Sequence, residues 1–147
     1  MTKTLTIFIF VFLAHVAAGQ NASQWKVTLI NSTTFKLKTD KNKIPAELIT
    51  VLFDSISCVA NPKEKVNGCT GGQPHAKLKW FAVDKEENYI IFVTYYGYRN
   101  RNLCFLANKN SKDKPLVVED IRGDLTFNEF KTVYLNKDIK VDVWPDN

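Results

Sequence analysis

The sequence predicts a mainly β protein, an antiparallel barrel with one short C-terminal helix and a final strand. Three observations support this fold class. The stretch Lys77–Ala107 consists of short segments rich in aromatic and β-branched residues, separated by polar turns. A capping box, Thr126-Phe-Asn-Glu129, begins a helix near the end of the chain. The segment that follows, Asp138–Trp144, alternates apolar and polar residues as a strand does.

Residues 1–19 are predicted to be a secretory signal peptide, which leaves residues 20–147 as one domain. Lys3 precedes an apolar run, Leu5–Ala14, and Ala17-Ala18-Gly19 supplies small residues for cleavage before Gln20. The run is too short to span a bilayer comfortably, which disfavours a membrane anchor. The sequence therefore predicts a secreted, extracellular protein without a membrane partner.

The charge pattern indicates a solvated surface. The chain carries 20 basic and 15 acidic residues, a formal net charge of +5. Its lysines are interleaved with aspartates and glutamates, which favours scattered surface charge over a dedicated site for a polyanion. No motif for nucleic acid is present, so nucleic acid is not an expected partner. Asn21 and Asn31 each begin an acceptor sequence for glycosylation, which predicts that both lie at the surface.

Three cysteines, Cys58, Cys69 and Cys104, are disulfide candidates. An extracellular compartment favours pairing, and three cysteines allow one bridge with one thiol left over. All three pairings remain open. The protein is expected to be a monomer, or a dimer if the leftover thiol links two chains.

The residue content disfavours an enzyme. After the signal peptide the chain has one histidine, His75, so a Cys69–His75 pair is the sharpest catalytic interpretation. The glycine-rich loop around Cys69 is a poor platform for ordered chemistry, and no third group is available to orient the pair. The sequence contains no nucleophile elbow, metal cluster or phosphate loop, so no catalytic residue, metal or cofactor is expected.

The chain before the central stretch is read as strands and one long loop. An apolar run opens at Trp25, and Phe35–Thr39 alternates as a half-buried strand. Ala46–Ala60 begins with helix formers but is rich in β-branched residues, so we predict a strand there, with a short helix starting near Pro45 as the alternative. Asn61–Pro74, with two prolines and three glycines, is a loop.

The rest of the chain completes six or seven strands and the helix. In Lys77–Val83, alternation places Leu78, Trp80 and Ala82 on one face. Tyr89–Tyr96 is almost wholly apolar, which predicts that both of its faces are covered or that one faces a cavity. Adjacent hairpins followed by one late helix favour a meandering barrel closed by the last strand. The remaining elements are a hairpin turn at Asp84–Asn88, strands at Leu103–Ala107 and Leu116–Ile121, and a helical stripe of Phe127, Phe130 and Tyr134.

Four short segments, in this order, resemble the salivary lipocalins of ticks, the family that includes the histamine-binding proteins. The segments are Trp25-Lys26 with the strand at Phe35, Ser57-Cys58-Val59-Ala60, the Tyr95–Arg101 turn leading into Leu103-Cys104-Phe105, and Phe127-Asn-Glu-Phe130. The resemblance implies a lipocalin-like (calycin) barrel that sequesters small host mediators such as histamine, serotonin or lipid mediators. The chain is shorter than the usual member, and Leu125-Thr126 stands where the family has a cysteine.

The resemblance leads to a predicted ligand site. An amine needs an aromatic wall and a desolvated carboxylate. Glu119 alternates with Val117 and Ile121 and is the candidate counter-charge, with Asp120 as the alternative. The candidate wall residues, which can equally be ordinary core, are Trp80, Phe92, Tyr96 and Phe105.

The alternative function is a secreted effector with a packed barrel that binds a host protein, such as a complement, clotting or cytokine component. The Asn61–Pro74 loop and the tyrosines of Tyr95–Tyr98 would then form the contact patch.

Overall fold

The computed structural model describes residues 22–53, 56–66, 75–97, 99–136 and 139–143. The predicted signal peptide, Asn21, Cys69 and Tyr98 lie outside these residues. The described chain contains seven strands, three α-helices and two short 3-10 turns at Lys41–Lys43 and Ile56–Cys58. The strands are β1 (Lys36–Lys38), β2 (Val59–Ala60), β3 (Ala76–Val83), β4 (Asn88–Tyr95), β5 (Arg101–Asn108), β6 (Leu116–Ile121) and β7 (Val141–Val143). The helices are α1 (residues 22–31), α2 (Ala46–Phe53) and α3 (Phe127–Asn136).

The strands form one open sheet and not the predicted closed barrel. Their order is β1-β3-β4-β5-β6-β7, with β2 parallel to β3 and every other pair antiparallel. In this order β1 and β7 stand at opposite sides of the sheet. Only β3 to β6 reach six to eight residues. A barrel filled by side chains takes about eight strands. Here the described chain between β1 and β3 contains α2, two 3-10 turns and only the two-residue strand β2.

Helices bury both faces of this sheet. The first face, here called the α2 face, carries Phe81, Ile91 and Phe105 beneath α2. The second, the α3 face, carries Phe92 and Leu106 beneath α1 and α3. At the centre of the sheet, seven of the eight residues of β4 are buried. The apolar run Tyr89–Tyr96 therefore has both faces covered, one of the two outcomes that its composition predicted.

Helix α2 corrects the predicted strand at Ala46–Ala60, and the alternative of a short helix after Pro45 is confirmed. The buried side chains of α2 are Leu48, Ile49, Leu52 and Phe53. These four lie on one side of a helix, whereas a strand would divide them between two faces. Val51, which a strand would place with Ile49, is 51% exposed. Burial of this apolar side outweighs the β propensity of the segment.

Helix α1 and strand β1 also differ from the prediction. Residues 22–31 are helical, although the sequence predicts a single helix at the other end of the chain. Leu29 and Trp25, four residues apart, pack on the α3 face, while Val27 and Ile30 point to solvent. β1 lies within the predicted strand Phe35–Thr39, but its three residues are exposed, because β1 lies at the margin of the sheet.

Two irregularities in the strand register overturn two predictions of shared faces. In β3 the register shifts between Leu78 and Trp80, so Leu78 lies on the α2 face while Trp80 and Ala82 lie on the α3 face. In β6 the register shifts between the partners of Asn102 and Cys104. Val117 therefore lies on the α2 face and Ile121 packs on the α3 face, so the predicted face shared by Val117, Glu119 and Ile121 is wrong. A bulge inserts one residue and reverses the alternation beyond it. Simple alternation along the sequence cannot locate such an insertion.

Helix α3 begins at the predicted capping box. The backbone nitrogen of Thr126 donates to Glu129 Oε2 at 2.7 Å, and the backbone nitrogen of Glu129 donates to Thr126 Oγ1 at 3.3 Å. The Glu129 carboxylate accepts from both the backbone nitrogen and the hydroxyl of Thr126, and these two bonds lower the pKa of Glu129. Phe130 and Tyr134 are buried, which confirms the predicted apolar stripe. β7, within the predicted strand Asp138–Trp144, pairs with β6 and follows the helix as expected.

Candidate interaction surface

The structure separates the predicted ligand-wall residues. Trp80 stacks on Phe92 on the α3 face, with ring centroids 5.2 Å apart. Phe105 lies on the opposite, α2 face and meets the ring of Phe53 edge-on at 5.7 Å. The Trp80 Nε1 donates to the backbone oxygen of Leu125 at 2.7 Å, so its polar atom is already bonded. These aromatic side chains do not line a common space.

Tyr96, one of the tyrosines of the predicted contact patch, lies beside His75. The backbone nitrogen of Tyr96 donates to the His75 oxygen at 2.8 Å, and the His75 nitrogen donates to the Cys58 oxygen at 3.1 Å. The end of β4 therefore lies beside His75, whereas residues 67–74 of the predicted loop lie outside the described residues. Tyr95 is a core residue here, because its ring stacks on Phe53 and its hydroxyl donates to the Leu52 oxygen at 3.2 Å. Tyr96 is half-buried at this edge.

Every arginine of the chain lies at this same end of the sheet, here called the arginine end. The sequence contains three: Arg99, Arg101 and Arg122. Arg101 begins β5 opposite Tyr95, and Arg122 follows the last residue of β6. All three are exposed. The arginine end therefore carries all three guanidinium groups of the chain, beside the carboxylates of Glu119 and Asp124.

An open cleft of about 580 Å³ lies at the arginine end. Glu119, the predicted counter-charge, is half-buried and lines it. Asp120 lies in β6, but its side chain is outside the described part of the structure. The lining is mostly polar and includes Asn100, Arg101, Asn102, Glu119, Arg122 and Gly123. We call this the arginine cleft.

Asn102 organises the arginine cleft. Its Oδ1 accepts a hydrogen bond from Thr94 Oγ1 at 2.7 Å, and its Nδ2 donates to the Gly123 oxygen at 2.8 Å. One amide therefore joins β4, β5 and the loop after β6. The predictions from sequence did not include Asn102 or Arg122, although the tripeptide Arg122-Gly123-Asp124 between the predicted strand and the capping box was visible in the sequence.

A second, smaller cleft of about 180 Å³ lies at the opposite end of the sheet, between α1 and the β5–β6 hairpin. Asn88, only 8% exposed, bonds through its Nδ2 to Asp84 Oδ2 and through its Oδ1 to Asn108 Nδ2, both at 2.8 Å. Of the predicted ligand residues, none lines this space. We call this space the α1 cleft. Its lining includes Gln24, Trp25, Asn88, Asn108, Asp113 and Lys114.

The two described cysteines do not pair with each other. Cys58 is half-buried at the α2 face, and Cys104 is fully buried at the α3 face, so the sheet lies between them. Burial raises the pKa of the Cys104 thiol well above its ordinary value. Cys69, and with it the Cys69–His75 interpretation, lies outside the described residues.

The structure also describes Asn31, the grouping of possible metal-ligand side chains and the length of the helices. Asn31 is exposed at the end of α1, as a glycosylation acceptor must be. Among the residues that the structure describes, no three or more His, Cys, Asp or Glu side chains are grouped to hold a metal ion. No helix in that part of the chain is long and apolar enough to cross a membrane.

Comparison of the chain with models of protein families, with curated proteins and with solved structures finds no match. The resemblance to tick salivary lipocalins therefore stays a prediction that rests on four short segments.

Proposed function

We propose that the protein is a secreted binding protein that acts through its outer surface on a host protein, for example a complement, clotting or cytokine component. The signal-peptide pattern and the likeness to salivary lipocalins supply the secreted context. The observation that carries the proposal is the burial of both faces of the sheet. A barrel that encloses a ligand needs a hollow face, and here α2 occupies one face while α1 and α3 occupy the other.

The polar groups of the core support the same conclusion. Among the described residues, every buried side-chain nitrogen or oxygen has a hydrogen-bond partner. An interior ligand site normally keeps a few polar groups in position for the ligand, and such groups are unsatisfied when the site is empty. The two packed cores offer no group of this kind.

The arginine cleft has the composition of a protein contact surface. Small-molecule sites are mostly apolar, whereas the lining of this cleft is mostly polar and open. Arginine and tyrosine are enriched in protein interfaces, and arginine is frequent among the residues that contribute most binding energy. Arg101 and Arg122 line the cleft, and Tyr96 lies at the same end of the sheet.

A second candidate function is the binding of a small amine in the α1 cleft. Trp25 supplies an aromatic wall there, and Asp113 supplies an exposed carboxylate. Two observations weigh against it. The volume of about 180 Å³ is below the range of roughly 300–1,000 Å³ for small-molecule sites, and Lys114 brings a positive charge to the same wall.

The first experiment is native mass spectrometry of the protein secreted from eukaryotic cells, with biogenic amines and fatty acids added. We expect no one-to-one adduct, because both faces of the sheet are filled. An amine adduct that disappears in Asp113→Asn would replace the proposal with the second candidate. An amine or fatty-acid adduct that persists in Asp113→Asn would contradict both the surface-binding proposal and binding in the α1 cleft.

The second experiment tests the surface directly by capture of host plasma proteins. Arg101→Glu reverses a charge in the arginine cleft, and Lys112→Glu makes the same change on the exposed β5–β6 hairpin. We expect a protein that wild type captures to be lost with Arg101→Glu and kept with Lys112→Glu. Equal capture by both variants would place the contact elsewhere and contradict the role of the arginine end.

A further inference from the structure

We propose that Arg122-Gly123-Asp124 is a recognition loop for a cell-adhesion receptor of the integrin class. Such a receptor reads the tripeptide with a carboxylate that accepts the guanidinium and a bound divalent cation that takes the aspartate carboxylate. This inference names the partner of the arginine end, and it rests on the proposed function.

The loop presents both charged side chains to solvent. It joins the end of β6 to the capping box of α3, and Arg122, Gly123 and Asp124 are all exposed. The side chain of Asp124 is 67% exposed. A tripeptide of this kind is short enough to occur by chance, so its context decides its meaning. An Arg-Gly-Asp tripeptide that is buried or paired within a sheet cannot reach a receptor. This one lies in an exposed turn between β6 and α3.

Gly123 gives the loop its shape. Its φ of +76° lies in the left-handed region, which other residues enter at an energetic cost. A Cβ at this position would meet nothing within 4 Å. The glycine is therefore needed for the backbone turn and not for close packing.

Three hydrogen-bonded anchors hold the loop in place. Asn102 Nδ2 donates to the Gly123 oxygen at 2.8 Å, and Trp80 Nε1 donates to the Leu125 oxygen at 2.7 Å. The capping box then secures Thr126. An ordered loop loses less conformational entropy on binding than a free peptide does. The fold therefore presents the tripeptide in a defined turn.

Lys79 is the one described group that holds the Asp124 carboxylate. Its Nζ lies 2.8 Å from Asp124 Oδ2, with the two side chains 25% and 67% exposed. Ion pairs exposed to this degree contribute little, so a divalent cation can displace the lysine. Lys79→Gln removes that competition, and we expect it to tighten binding by no more than about fivefold.

Recognition of the Arg122 guanidinium and of the Asp124 carboxylate depends on the side-chain type at each position. An arginine guanidinium donates two parallel hydrogen bonds to a carboxylate, which lysine cannot reproduce. Cation coordination fixes the position of the carboxylate oxygens, so the extra methylene of glutamate misplaces them. Arg122→Lys and Asp124→Glu keep the charges while removing these two features.

The test measures binding of the secreted full chain to purified integrin ectodomains that recognise Arg-Gly-Asp, with Mn²⁺ or with EDTA. We expect Mn²⁺-dependent binding that a short Arg-Gly-Asp peptide competes away. Asp124→Glu and Arg122→Lys should each weaken it by at least about tenfold, whereas Asp142→Glu should not. Asp142 is the matched control, because it is also a partly exposed aspartate paired with a lysine, at 2.9 Å from Lys140 Nζ.

The outcomes separate this inference from the proposed function. Binding that persists in EDTA, or that Asp124→Glu leaves unchanged, overturns the inference. The proposed function survives that result if Arg101→Glu still abolishes capture of a host protein. If wild type binds neither an integrin nor a host protein, both fail. Circular dichroism of each variant checks that the fold is retained, as expected for substitutions at exposed positions.

Discussion

At the scale of single residues, burial determines the chemistry of two ionisable side chains on the α3 face. Tyr134 and Cys104 are both fully buried. Burial raises the pKa of Tyr134 to about 12, and the nearby Cys104 adds to the effect when ionised. The Tyr134 hydroxyl donates to the Ala22 oxygen at 3.3 Å and so joins α3 to α1. Both side chains are uncharged at neutral pH.

The raised pKa of Tyr134 predicts a specific loss of stability in alkali. Its folded pKa of about 12 exceeds the ordinary 10.0, so its contribution is fully present below pH 10.0 and is lost as the pH rises towards 12. Tyr134→Phe cannot ionise there. We expect its unfolding free energy, measured by urea denaturation, to fall less over this range than that of wild type. If the unfolding free energies of wild type and Tyr134→Phe fall equally over this pH range, the raised pKa of Tyr134 is contradicted.

At the scale of elements, α2 shows why the sequence pattern predicted a strand where the chain forms a helix. The segment Ala46–Phe53 contains Ile49, Thr50 and Val51, which favour a strand by propensity. A short apolar run fits a buried strand and a buried helix equally well. The α2 face of the sheet decides between them, because a helix places all its large apolar side chains against that face. The capping box of α3 was predictable because its bonds are local.

Two substitutions in α2 distinguish the helix from a strand. A strand would place Val51 on the same face as Phe53, whereas the helix exposes Val51 and buries Phe53. Phe53→Ala should lower the unfolding free energy by about 3–5 kcal/mol. Val51→Ala should change it by less than about 0.5 kcal/mol, because alanine also favours helix. Comparable losses for both, measured by urea denaturation, would support the strand.

At the scale of the whole molecule, one sheet supports two separate cores. Phe105 packs on the α2 face and Phe92 on the α3 face, and the two strands that carry them are paired along their length. A substitution that disrupts either core therefore also destabilises the sheet on which the other core packs. The protein should unfold as a single cooperative unit.

This cooperativity can be tested with Trp80 as the reporter on the α3 face, in a Trp25→Phe/Trp144→Phe background that leaves it the one tryptophan of the chain. We expect Phe105→Ala, on the opposite face, to destabilise the protein by about 3–5 kcal/mol and to move the Trp80 fluorescence transition to lower urea. Phe92→Ala should do the same. If Phe105→Ala leaves the fluorescence transition in place, the two cores are independent. A small loss for both would indicate that these aromatics line a space and do not fill the core.

The candidate surface was only partly predictable. Glu119 and Tyr96 were singled out and do lie at the arginine end, but for reasons other than a shared strand face. Trp80 and Phe105 were expected on one wall and lie on opposite faces. Strand register causes this difference, because Trp80 pairs with Phe92 and Phe92 pairs with Cys104, which leaves Phe105 on the other face. The pairing of strands is set between residues that are distant in the chain, so a single-strand pattern does not show it.

The sequence by itself determined the long central strands, their antiparallel hairpins, the capping box and the final strand, because short-range periodicity and local hydrogen bonds specify these features. Only the tertiary structure decided that Ala46–Phe53 is helical, that the sheet stays open, and that Arg101, Arg122 and Tyr96 lie at one end. These outcomes depend on which apolar surfaces cover one another and on strand register. Both are set by contacts between residues far apart in the chain.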